Sequence, residues 1–406
     1  MYNNIIKGIP DYLALSSGDF IRHFANLLST NKYKNWIKYE ESTKILGYSC
    51  RTLFDMTLKV LNKDDLVVAV TPMHHTSYRN IIENYVKPDN LHVLPMNDEY
   101  NGLGKIPDLE KCDVIVITHL FGQDMDLSPL KKLKEKHNCV IIEDRVQGGS
   151  LNEIFSNEIV DIAIYSMGMD KRPIALGGGY IYIKNNYEKI IADFLELYNS
   201  LPTEKTRTRL KELIKKIPTY MLYNYRPFLY LFIRMLNLLH FFNKDISLLS
   251  ITKSYRKNNP GFIRSGFMLK PSNGLMKSMV ENSRNYQNME VLFTKKYAQF
   301  TNYLSPKIIE YYLPWYKKGV FSLSNYNTIH VEEHLVDTFM EFMDDYNIST
   351  LPNPTYKLFN KSYKGDIKDI KFNNGIVYLP STANITREEM EYLRDRLVEF
   401  YQKYKA

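Results

Sequence analysis

The stretch from Val140 to Ile183, VIIEDRVQGGSLNEIFSNEIVDIAIYSMGMDKRPIALGGGYIYI, constrains the fold more than any other part of the chain. Three short apolar runs lie in it. Val140–Ile142 leads into Glu143 and Asp144, Ile159–Tyr165 leads into Ser166, and Tyr180–Ile183 follows three glycines at 177–179. Continuous β-branched runs of this length, bounded by Gly and Asp, predict strands buried on both faces of a mostly parallel sheet. In such sheets the working residues stand just past the carboxyl ends of the strands. That rule places Asp144, Gln147, Ser166 and Lys171 on one rim.

The neighbouring sequence repeats the pattern. Leu66–Val70, Leu91–Pro95 and Val114–Thr118 read as further strands, and Leu127–His137 as a helix with Leu127, Leu130 and Leu133 on one face. Alternating strands and helices predict an α/β chain with a doubly wound parallel sheet. Ser49 is a natural N-cap for a helix running to about Leu61. Phe20, Ile21, Phe24, Leu27 and Leu28 recur at helical spacing and predict an amphipathic helix that packs on the domain or on a partner subunit. Near the C-terminus, strands at Val320–Leu323, Thr328–Val331 and Ile376–Leu379 and helices at Leu335–Tyr346 and Arg387–Tyr404 predict a smaller α+β domain. The expected division is an arm at 1–45, a large domain at 46–200, a helical insert at 201–262, and an interdomain helix with the small domain at 263–406.

A carboxylate, a hydroxyl and a lysine on one rim suit pyridoxal phosphate (PLP). That cofactor needs a lysine for its Schiff base and an acid beside the ring nitrogen. It also needs hydroxyls and backbone N–H groups for its phosphate. The ordered run ED-x-x-Q, then S-x-x-x-x-K, a glycine cluster and a strand resembles the DegT–DnrJ–StrS family, and ITHLFGQDMDLSPLKKLKEKHN at 117–138 is similar to the strand and helix before it. These are fold-type I PLP enzymes, mostly aminotransferases acting on nucleotide-linked keto sugars. The resemblance implies Lys171 as the Schiff-base lysine, Asp144 as partner of the pyridine nitrogen, Gln147 against the ring and Ser166 on the phosphate. It implies that Gly47, Tyr48 and Ser49 form a phosphate-cradling turn, and that His74 or His75 stacks on the ring or contacts the substrate. Lys270 stands near the place from which relatives reach the neighbouring subunit's phosphate, so a homodimer is expected. The chain departs from the pattern at Arg172-Pro173, where many relatives have Asn-Leu, and at Gly177, where many carry a glutamate. These departures leave the cofactor set intact and bear on the substrate.

Composition removes other classes. The net charge of +8 is modest and spread along the chain, with no RNA-binding signature, so nucleic acid is not an expected partner. Cys50, Cys112 and Cys139 form neither a disulfide framework nor zinc spacing, which fits a reducing cytoplasm. His74 and His75 are adjacent and have no evident third ligand, so no metal is expected. The opening residues lack the apolar core of a signal peptide.

The expected activity is amino transfer, with glutamate as donor by resemblance, to a nucleotide-linked keto sugar for glycan biosynthesis. Two rivals stay open: a PLP reaction on a non-sugar ketone or amino acid, and a PLP-fold binding or scaffold protein at a membrane. The insert is basic first (KTRTRLKELIKK) and then apolar at 227–242, with Arg234 as its one charge, and is too short to span a bilayer. Apolar sequence with basic shoulders can lie in a membrane interface. The other reading packs it against a partner subunit or over the active site.

Overall fold

The computed structural model describes residues 17–29, 32–148, 153–168, 171, 175–224, 228, 231, 266–284, 298, 300–302, 304–316, 327–346, 348, 350–353, 356–358, 367–379 and 386–405. The expected strand at Val320–Leu323 and the insert's apolar run, apart from Phe228 and Leu231, lie outside these residues.

In chain order the described elements begin with α1 (Ser17–Asn26), β1 (Trp36–Lys38), β2 (Ser42–Gly47), α2 (Cys50–Leu61), β3 (Val68–Val70), β4 (Met73–His75) and α3 (Thr76–Ile82). β5 (Leu91–Val93), β6 (Val114–Thr118), α4 (Lys131–His137), β7 (Val140–Asp144), β8 (Ile162–Ser166), β9 (Gly179–Lys184), α5 (Glu188–Ser200) and α6 (Thr206–Asn224) follow. The remainder comprises α7 (Asn273–Arg284), α8 (Pro306–Tyr312), β10 (Asn327–His330), α9 (Val336–Asp345), β11 (Leu351–Pro352), β12 (Tyr356–Leu358), α10 (Ile367–Gly375), β13 (Ile376–Leu379) and α11 (Arg387–Tyr404).

Among the described residues, eight strands form one sheet in the order β1-β2-β9-β8-β7-β6-β3-β5. The run β8-β7-β6-β3-β5 is parallel. β9 runs antiparallel to both β8 and β2, so β2 points the same way as β8. This is the mostly parallel α/β sheet that the apolar runs predict. The sheet starts at Trp36, earlier than an arm ending at residue 45 would allow. Helix α1 packs on α7, where the Asn26 amide donates to Ser278 Oγ at 3.1 Å and to Glu281 Oε2 at 2.9 Å.

Strand alternation sorts the sheet's side chains onto two faces. Ile45, Ile142, Ile162, Ile164, Ile181 and Ile183 meet Leu53, Phe54 and Tyr78 from α2 and α3, with Phe194 of α5. The opposite face carries Ile141 and Ile117, in one core with Trp315, Phe339 and Phe400 from the C-terminal part. Within that part β10-β13-β11 form a small antiparallel sheet, and α11 starts at a capping box made by Thr386 and Glu389.

Candidate active site

Register brings the strand ends together. Gly47, the last residue of β2, pairs with Gly179, and Gly179 pairs with Ser166, the last residue of β8. Asp144 ends the adjacent β7. By alternation Asp144 and Ser166 share a face with Ile142 and Ile164, the face on which α2 and α3 pack. Helix α2 begins immediately above them. Ser49 is its N-cap and accepts from the Thr52 N–H at 3.1 Å, while the Thr52 hydroxyl donates to the Phe267 carbonyl at 2.5 Å. The first N–H groups of a helix lack partners within it and favour an anion. A Cβ on Gly179 would lie 2.6 Å from the Tyr165 carbonyl oxygen and 3.0 Å from the Cys50 nitrogen, so only glycine lets the helix start this close to the strand.

Asp144 is buried. Its Oδ1 accepts the Val146 N–H at 2.9 Å, and the Tyr78 hydroxyl lies against the carboxylate without full hydrogen-bond geometry. Burial pushes its pKa up to about 6, against the pull of the Val146 N–H, Lys171 and His119. Lys171 therefore lies within electrostatic reach of Asp144, and both act on the Cys50 thiol, which also contacts Ser166. Burial raises that thiol to about 11, so it stays uncharged. Asp144, Ser166, Lys171 and the start of α2 thus converge. Gln147 is buried one turn after Asp144, with its main-chain carbonyl accepting the Gly122 N–H at 2.8 Å. Tyr48 is half-buried, and its electrostatic neighbours include Glu204 and Arg209.

Three expected residues sit differently. His74 has no exposed surface, and its ring nitrogens bond the hydroxyls of Thr71 at 3.0 Å and Thr118 at 2.5 Å. Burial lowers its pKa to about 3. It is a neutral strut between β3 and β6, with no face to offer a cofactor ring. His75 caps α3 by accepting the Ser77 N–H at 3.1 Å. The Lys270 ammonium donates to the Asn199 carbonyl at 2.9 Å, at the last turn of α5, where a cation suits the helix dipole.

The opposite face of β7 carries a second polar group. Glu143 is fully buried and bonds His119 Nε2 at 2.9 Å and the Ser156 hydroxyl. His119 Nδ1 accepts the Met125 N–H at 2.9 Å, which leaves Nε2 as the protonated nitrogen that donates to Glu143. Arg145 lies 3.7 Å from Glu143 and holds Asp124 with both contacts at 2.9 Å.

The loop that carries Lys171 is closed at its stem by Met167, whose carbonyl accepts the N–H groups of Ala175 and Gly177 and whose N–H donates to Gly178. Leu176, Gly177 and Gly178 all have positive φ, at 56°, 151° and 85°. Arg209 of α6 donates to the carbonyls of Ala175 at 3.1 Å and Leu176 at 3.0 Å, and Lys216 donates to that of Leu176 at 2.5 Å. Cys50, Tyr78 and Arg209 were not singled out by sequence reasoning. Cys50 had a local signal, since it directly follows the N-cap; Tyr78 and Arg209 had none.

No protein-family model matches the chain, and no curated protein matches it. Solved structures do share its fold. The sugar aminotransferase candidate Spr1654 from Streptococcus pneumoniae, in its PMP form, matches with TM-score 0.65 at 14% identity over 98% of this chain and 100% of that one. PseC from Helicobacter pylori, an aminotransferase of pseudoaminic acid biosynthesis, gives 0.63 at 13% over 98% and 99%. The E. coli GDP-4-keto-6-deoxy-D-mannose-3-dehydratase with bound hydrated PLP gives 0.61 at 12% over 96% and 100%. The chain therefore shares the fold of these three structures across nearly its full length.

Proposed function

We propose that the chain is a PLP-dependent aminotransferase of the DegT–DnrJ–StrS type, acting on a nucleotide-linked keto sugar with glutamate as donor. One observation carries the reading: Asp144 is a buried carboxylate whose burial outweighs the pull of its partners, on the same rim as Lys171, Ser166 and a helix start. A protonated pyridine nitrogen would supply the partner that such an acid lacks.

The residues fit the cofactor. The glycine at 179 lets backbone N–H groups of α2 approach a phosphate, and Ser166 adds a hydroxyl. Bound PLP supplies an electron sink. Asp144 would hold the proton on the ring nitrogen. Lys171 would anchor the cofactor and then, once displaced by the amino donor, carry a proton between the substrate Cα and the cofactor's C4′. Tyr48 and Ser49 would border the phosphate, and Gln147 would lie against the ring.

We further propose a homodimer, and a cytoplasmic enzyme with a peripheral contact to anionic membrane through the insert around 227–242. Among the described residues no helix is long and apolar enough to cross a membrane. A second reading is loss of water from a keto sugar, favoured by the likeness to the E. coli dehydratase.

An absorbance spectrum of the purified protein with PLP tests both readings. The expected result is a visible band from lysine-linked cofactor that disappears on adding glutamate, with release of 2-oxoglutarate. A keto-sugar product that has lost water and gained no amino group would establish dehydration instead. No band at all would remove the cofactor.

A further inference from the structure

We propose that Arg209, on the inward face of α6, is a positioning residue that fixes the Lys171 loop, so that the insert is part of the catalytic machinery; this rests on the function proposed above. Arg209 is only 5% exposed although it lies in a strongly basic run. Its guanidinium bridges two successive carbonyls, Ala175 and Leu176, in residues that are themselves fully buried. Those carbonyls occupy the return limb of the loop that carries Lys171, between the Met167 stem and the first residue of β9. The limb needs holding. Leu176 is a non-glycine residue in the left-handed region, and such residues persist where surrounding contacts enforce them.

The fit is two-sided. A Cβ on Gly177 would lie 2.7 Å from the Arg209 Nη1, so the guanidinium takes the space that any side chain at 177 would fill. On the neighbouring residue a Cβ at Gly178 would meet the Met279 sulfur at 2.3 Å, which packs α7 against the same limb. Lys216, two turns after Arg209, adds a second donor to the Leu176 carbonyl. One face of α6 therefore grips the return limb at consecutive carbonyls. Both bonds leave one terminal nitrogen, Nη2, which the planar guanidinium holds in a fixed direction, whereas a lysine ammonium turns freely on its stem.

Hydrogen exchange on the cofactor-free protein, followed by cofactor and kinetic measurements, tests the assignment. In Arg209→Met, amides in 167–179 should exchange about tenfold faster or more, while those of β6 and β7 keep their wild-type protection, since the Ala175 and Leu176 carbonyls lose the guanidinium that joins them. With PLP added, the variant should form less borohydride-fixed Lys171 adduct, and kcat should fall with the donor KM little changed. Arg209→Lys should restore part of each effect, and Lys216→Met should give the same pattern more weakly. If Arg209→Met does not fold, Arg209→Lys decides alone: local fast exchange at 167–179 supports the brace, and wild-type exchange there overturns it. Wild-type exchange and adduct yield in Arg209→Met likewise overturn it. A wild-type protein that forms no adduct overturns the PLP reading instead, and the exchange data still judge the brace.

Discussion

Glu143 and Asp144 are neighbours on one strand, both carboxylates and both buried, at 0% and 3% exposure. Alternation sends them to opposite faces of the sheet, and there they meet opposite fates. Burial pushes both acids upward, as it does any charge taken from water. For Glu143, His119, Arg145 and Ser156 overcome that push and hold the carboxyl below its ordinary value. For Asp144, the Val146 N–H, Lys171, His119 and Tyr78 do not, and it stays near 6. The difference therefore lies in partners. The Glu143 face is a finished internal network that stiffens the turns after β6 and β7. The Asp144 face is an acid kept short of partners, a costly arrangement in a folded chain unless a ligand completes it.

If the Asp144 face is for chemistry, its residues should control turnover and leave the fold alone. Lys171→Ala should cut turnover by about 10⁴-fold or more while circular dichroism and melting stay as in wild type. A Lys171→Ala protein that still yields a borohydride-fixed cofactor adduct would move the anchor to another lysine.

Asp144→Asn should act in two directions at once. The amide cannot hold a pyridinium, so turnover should fall by about 10²–10³-fold. Yet the cofactor-free variant should be the more stable protein at pH 8. Between the unfolded carboxyl's ordinary pKa and the folded value of about 6, the folded state binds the extra proton, so raising the pH through that window costs wild type stability, on the order of 3 kcal/mol. The variant escapes that cost. Denaturant melts at pH 4 and pH 8 check it: the gap should be present at pH 8 and absent near pH 4. A destabilised variant at pH 8 would mean that Asp144 has more partners than its surroundings show.

Glu143→Gln should reverse the signature. The network loses a charge that Arg145 and His119 need, so stability should drop by about 1–3 kcal/mol at neutral pH, with turnover of the folded enzyme changed only severalfold. Because Glu143 titrates below its ordinary value when folded, its contribution is present above that value and lost on acidification. Wild type and variant should converge as the pH falls below about 4. A large loss of kcat with unchanged stability would erase the contrast between the two faces.

The sequence made the Asp144 rim legible and its energetics illegible. β7, β8 and β9 could be read because both of their faces are buried and their β-branched runs are unbroken. β2 has the mixed sequence STKILG and shows no such run; its pairing with β1 and with β9, far along the chain, makes it a strand. β4, Met73–His75, likewise carries no strand pattern of its own, and its partner β12 is remote in sequence. The helix expected from Leu127 opens as a 3₁₀ turn at Ser128–Leu130, with Pro129 inside it. No pattern in KTRTRLKELIKK marks Arg209 as the cation that turns inward, because tertiary contact alone chooses it. The shortage of partners at Asp144 is equally a property of packing.

The outer face of α6 extends the contrast to the insert and gives the smallest expected effect. Arg209 and Leu213 face inward and are buried, whereas Leu210, Ile214 and Ile217 are 38%, 49% and 37% exposed. Their spacing of four and three residues puts them on one stripe. Arg207, Lys211 and Lys215 are exposed beside it. An exposed apolar stripe edged with cations matches an anionic lipid surface, where each cation adds about 1 kcal/mol and salt screens it. Two copies of the stripe facing each other would instead bring like charges together. The intact chain should therefore float with vesicles containing anionic lipid at low salt, release in high salt, and ignore neutral vesicles. Ile214→Glu should weaken flotation while leaving turnover on soluble substrate unchanged, because this side chain points away from the Lys171 loop. If the chain stays in the soluble fraction and Ile214→Glu lowers the oligomeric state, the stripe is a contact between copies, and the lipid reading falls.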